Sequence, residues 1–92
     1  MLVKSLHGTA NNTCECKSWI DHWEKYTDKN SYYCSVNSCL EKATDGAHVV
    51  KVNSDDRNWY IVPLCHAHNL SDNAMDIGST TLAPANVAAT CG

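Results

Sequence analysis

The chain has 92 residues, 43% of them hydrophobic, with six Cys, five His and no Phe. A chain of this length buries only about 60–65% of the surface it would expose unfolded, so its core is marginal and needs a disulfide or metal staple. The formal net charge is −3 with seven scattered Lys and Arg. That disfavours nucleic acid as a partner, because nucleic-acid binders carry a basic stripe that exchanges counterions with phosphates. No stretch approaches the ~20 apolar residues that span a bilayer, so no membrane is expected.

The segment "MLVKSLHGTANNTCEC" has no long apolar run and no small-residue cleavage site, so no export signal is expected. A cytoplasmic, reducing compartment follows, in which cysteines hold metal more often than they pair. The alternative is a secreted, disulfide-framed domain whose signal has been removed. Residues 1–13 are polar and read as a flexible arm of a single domain spanning 1–92.

"CKSWIDHWEKYT" then reads as a short amphipathic helix, with Ser18 as N-cap and Asp21 in the first turn. Trp19, His22, Trp23 and Tyr26 recur at helical spacing and share one face. "DKNSYY" is a turn, and "CSVNSC" places Asn37 and Ser38 in a tight turn between two cysteines. "AHVVKV" and "WYIVPL", separated by the polar "NSDDRN", predict a β-hairpin. Pro63 cannot donate to a ladder, which predicts an edge or a strand end there. "CHAHNLSDNAM" opens a short helix. The tail "LAPANVAATCG" is weakly apolar and extended.

Two short-spaced pairs of metal-ligating residues flank the hairpin: Cys34 with Cys39, and Cys65 with His68. A tetrahedral Zn²⁺ site takes two ligands from each of two tight turns, with the chain between them folding back to join the turns. At a helix start, residues three apart project to the same side, and the first-turn amides favour a thiolate. The spacing therefore predicts one Zn²⁺ on Cys34, Cys39, Cys65 and His68, against the alternative of unrelated thiols and a partly buried histidine.

"CSVNSCLEKATDGAHVV" and "YIVPLCHAHN", covering residues 34–69, resemble the treble-clef zinc finger and, more narrowly, the HNH nucleases. The resemblance implies a small, metal-stabilised α+β fold, with a cysteine knuckle, a β-hairpin and a short helix, preceded here by the amphipathic helix. For a nuclease it implies His48 as general base and Asn69 as the last ligand of a catalytic divalent cation. The preceding ligand position falls on Ala47, which cannot bind a cation. The orienting position falls on Tyr60, although Asn58 lies nearby. The competing expectation for His48 is an interior, hydrogen-bonded histidine beside Val50 and Val52.

Cys14, Cys16 and Cys91 remain. Cys-x-Cys chelates a metal more readily than it closes a disulfide on itself. With Cys91 and His22 these residues form a candidate second Zn²⁺ site; His66 is the other candidate for its fourth ligand, and a Cys16–Cys91 disulfide or free thiols are the competing readings. The function expected is that of a non-catalytic zinc-binding module which binds another protein. Exposed aromatics such as Tyr32, Tyr33 or Trp59 are candidate contacts, unless they serve as core in place of Phe. The alternative is a divergent nuclease using His48.

Overall fold

A computed structural model describes residues 1–6 and 18–85. In chain order the elements are β1 (Leu2–Ser5), α1 (Trp19–Thr27), β2 (Asp45–Lys51), β3 (Tyr60–Leu64), α2 (His66–Asn69), β4 (Met75–Asp76) and β5 (Ala83–Pro84). The five strands form one antiparallel sheet in the order β4-β1-β2-β3-β5. The fold is thus a small α+β domain, and the expected hairpin forms its centre.

Two expectations need correction. Residues 2–5, assigned to a flexible arm, form a strand inside the sheet: Val3 faces Lys51 and Ser5 faces Val49. Val3 is fully buried there, and the pairing satisfies backbone groups that would otherwise face water. Tyr26, expected on the buried face of α1, is exposed near the helix end; the face buries His22 and Trp23, with Trp19 partly covered.

Alternation along the strands divides the sheet into two faces. On one, Val3, Ala47, Val49, Val62 and Leu64 pack with Cys34, Cys65, Met75 and Ile77. On the other, Ile61 and Ala83 pack with Trp23 of α1, and Trp19 closes the edge of that cluster. Val50 and Val52, expected to accompany a core histidine, are only half-buried.

Helix α1 starts where Ser18 accepts a hydrogen bond from the Asp21 amide at 3.1 Å. Asp21 in the first turn and Lys25 in the last both complement the helix dipole. Asp28 ends the helix in the left-handed conformation, φ 55°. The helix lies so close to β2 that a Cβ on Gly46 would sit 2.3 Å from backbone atoms of Trp19 and Ile20. Glycine is therefore a steric requirement at this crossing. Trp23 Nε1 donates to the Thr81 carbonyl at 2.8 Å, which anchors the helix to the segment before β5.

Pro63 lies inside β3, opposite Gly46. Its outward side has no strand neighbour, since β5 pairs only with Tyr60 and Ile61. The Pro63 carbonyl instead accepts from the Ser35 amide at 3.0 Å and the Ser35 hydroxyl at 2.8 Å. The missing N–H costs nothing on a stretch that no strand borders.

Candidate metal centre

Cys34, Cys39, Cys65 and His68 converge, and their donor atoms all lie within 4.8 Å of one another. His68 Nδ1 is 3.4 Å from Cys34 Sγ and 3.2 Å from Cys65 Sγ. Zn²⁺ with bonds of about 2.3 Å to sulfur and about 2.0 Å to nitrogen spaces its tetrahedral ligands about 3.5–3.8 Å apart. The two nitrogen-to-sulfur distances are close to that spacing, and Nδ1 is the imidazole nitrogen turned toward Cys34 and Cys65. Cys34, Cys39 and Cys65 are all thiols, with no disulfide among them. The chemistry of the set, three soft sulfurs and one imidazole, suits zinc.

Both halves of the site are positioned by local backbone. In the turn, the Cys39 amide donates to the Val36 carbonyl at 3.0 Å, and Ser38 takes the left-handed conformation, φ 66°. The Cys34 amide donates to Glu41 O at 2.9 Å, and the Asn37 amide to Asp76 O at 2.9 Å, which fixes the turn against β4. Strand β3 runs straight into Cys65, the N-cap of α2, and the single turn that follows brings His68 back over it.

Cys34 and Cys65 belong to the main core cluster. Burial pushes the Cys34 thiol up to about 11, only partly offset by backbone amides of Cys65 and Val36. A buried thiol of this kind ionises when a cation takes the place of its proton. The ion would then sit at the margin of the main core cluster, between buried Cys34 and Cys65 and the partly exposed Cys39 and His68.

A polar network supports the second pair. Asp45 Oδ2 lies 2.8 Å from His66 Nδ1 and accepts from Asn69 Nδ2 at 2.9 Å, while Asn69 Oδ1 accepts from the Ser5 hydroxyl at 3.1 Å. Burial pushes the Asp45 carboxyl up, but hydrogen bonds from His66, Asn69 and Thr44 outweigh it and hold the group below the usual carboxylate value. This network ties α2 to β1 and β2. Its members are far apart in sequence, and only the weak period-two pattern of "LVKS" could have signalled that β1 was available to join it.

The residues considered for catalysis are not brought together. Asn69 meets Asp45 and Ser5 on the metal side of the sheet, and both ends of its amide are engaged. His48 points to the opposite side, where it is 5% exposed and packs edge-on against Trp19, with ring centroids 4.5 Å apart. Burial, and then the neighbouring His22, lower the His48 pKa and disfavour the charged ring. Ala47 lies in the core beside Val49, and the Tyr60 hydroxyl donates to Asp56 Oδ2.

Of the candidate second site, Cys14, Cys16 and Cys91 lie outside the described residues. His22 is described and is 1% exposed. Its Nε2 lies 3.0 Å from the Pro84 carbonyl, which makes Nε2 the protonated nitrogen. Nδ1 has no hydrogen-bond partner among the described residues. Leaving such a buried acceptor unmatched costs about 1–3 kcal/mol. His66, the other candidate, is exposed and held by Asp45.

Among the described residues no helix is long and apolar enough to cross a membrane. Compared with known proteins, the chain matches no family model, no curated protein and no solved structure.

Proposed function

We propose that this chain is a treble-clef-like zinc module, related in plan to the HNH nucleases but without their chemistry, which binds another protein. The observation that carries this reading is the convergence of Cys34, Cys39, Cys65 and His68. Four protein donors fill a tetrahedral shell and leave no open position for water or substrate, as in structural zinc sites. The order of turn, hairpin and helix start around the ion supports the treble-clef plan. The three thiols of the site fit a reducing compartment such as the cytoplasm.

The separation of His48 and Asn69 across the sheet argues against a nuclease centre built on those two residues. For a protein partner, the supporting feature is the flank of the metal turn. Tyr32 is 68% exposed, Tyr33 67% and Leu40 86%. Tyrosine is enriched in protein interfaces, and a metal-fixed turn presents such side chains at little entropic cost. The net charge of −3 favours a protein over a polyanion.

A paired assay tests the proposal. Zinc-loaded protein should fail to nick plasmid DNA with Mg²⁺ or Mn²⁺, and it should capture a protein that is lost with Tyr33→Ser or Leu40→Ser while melting behaviour is retained. Nicking that disappears with His48→Ala would replace this reading with the nuclease one.

A further inference from the structure

We propose that Nδ1 of His22 is the ligand atom of a second zinc centre, whose sulfur donors are Cys14, Cys16 and Cys91. The inference starts from the ring itself. Buried polar atoms in folded proteins nearly always have partners, and His22 Nδ1 is the one buried side-chain nitrogen or oxygen among the described residues that lacks one.

The other ring nitrogen shows what kind of partner is missing. His22 Nε2 donates to the Pro84 carbonyl at 3.0 Å, so the tautomer is set and Nδ1 presents a lone pair. Metal-bound histidines have this arrangement: one nitrogen donates to a backbone carbonyl or carboxylate, which orients the ring and raises the basicity of the nitrogen facing the ion. A hydrogen-bond donor would also fill the position, but the sequence offers something more specific. Cys14 and Cys16 stand eight and six positions before His22, and Cys91 seven after Pro84. These three thiols are the ones the first centre does not use, and they enter here by sequence position alone.

Reach favours Cys16 in particular. His22 lies one helical turn beyond the cap at Ser18, about 6 Å along the axis at 1.5 Å per residue. The step from Cys16 to Ser18 adds at most about 7 Å of extended chain. With one nitrogen and three sulfurs, the second centre has the same donor set as the first, so both select the same metal. It is independent of any partner or activity of the module.

The test is metal stoichiometry on the full chain, purified under reducing, oxygen-free conditions. Inductively coupled plasma analysis and native mass spectrometry should give two zinc ions per chain. Titration with Co²⁺ should give two equivalents with tetrahedral visible bands and sulfur-to-cobalt charge transfer. His22→Ala should bind one, with the charge-transfer intensity per chain falling by half, whereas Cys65→Ser should lose the other. His22→Cys, which offers a sulfur in place of the nitrogen, should keep two and shift the bands of one. Cadmium NMR of the unaltered protein should show two resonances, one of them coupled to the His22 ring nitrogen, a readout that does not depend on any variant folding. A single metal at saturation, a disulfide joining Cys16 to Cys91 in the reduced preparation, or two ions retained by folded His22→Ala would overturn the proposal.

Discussion

Removing zinc from the Cys34, Cys39, Cys65 and His68 centre should lower the melting midpoint steeply, and the size of the effect can be worked out in advance. Cys34 and Cys65 are core residues, packed with Ala47, Val49, Val62 and Leu64, so the ion's environment is continuous with the interior. Binding of a structural zinc is worth about 10–16 kcal/mol in finger peptides at neutral pH. A domain of this size has a net stability of only about 5–15 kcal/mol. At free zinc about a thousandfold above the dissociation constant, mass action contributes about 4 kcal/mol. Each kcal/mol moves the midpoint of a domain of this length by about 4–8 °C, so full chelation should lower it by about 16–32 °C. The measurement is circular dichroism melting across a series of zinc buffers, with the midpoint rising steadily with log free zinc. Cys65→Ser should flatten that dependence and melt low throughout. If the parent melts at the same temperature in excess chelator as in excess zinc, the four residues do not hold a structural ion and the reasoning fails.

Gly46→Ala places a methyl against the backbone of α1; it should destabilise by about 3 kcal/mol, the upper end for overpacking, read as a lower urea midpoint at unchanged slope. Ser38→Gly relieves a left-handed serine at φ 66°. The relief of about 1 kcal/mol exceeds the added unfolded-state entropy of about 0.5 kcal/mol, so its midpoint should rise slightly with zinc content unchanged. The Asp56 carboxyl is held well below its ordinary value, first by the Tyr60 hydroxyl, then by the Asn58 amide and Lys51. Tyr60 and Lys51 are both raised, in each case chiefly by their hydrogen bond to Asp56. The depressed carboxylate contributes stability above its unfolded pKa that is lost as pH falls through its folded one. The two raised groups contribute below their unfolded pKa values and lose that contribution as pH rises through the folded ones. The melting difference between parent and Asp56→Asn should therefore be flat between the ordinary carboxylate value of 3.8 and the ordinary tyrosine value of 10.0, and shrink on either side. A difference that varied across neutral pH would count against this trio.

What could be read from the residues was what is local. The Ser18 cap, the pair of strands around "NSDDRN" and the two ligand pairs each declare themselves within a few positions, and each is present. Strand β1 was missed because "LVKS" has only two apolar positions and its partner, β2, lies far along the chain, beyond α1. Strands β4 and β5 have two residues each, too few for any period to show. Alternation put His48 and Ala47 on opposite faces of β2, but nothing in the sequence told which face would meet the metal. That depended on Cys34 and Cys65 joining the side that holds Ala47 and Val49. The Ser5–Asn69–Asp45 chain of hydrogen bonds was invisible for the same reason as β1.

The two neighbours of β2 differ in how soon they can reach it. β3 follows it directly, and Cys34, Cys39, Cys65 and His68 bracket that hairpin, so this half can assemble from nearby chain. β1 reaches β2 from the start of the chain, across a longer closure than the β2–β3 hairpin needs, and long closures are slow. Assembly should thus proceed outward from a metal-clasped hairpin, and until β1 docks, one flank of β2 stands open to pairing with another molecule. Zinc supply during synthesis would then decide how briefly that flank is exposed, and with it how much of the protein clumps before it matures.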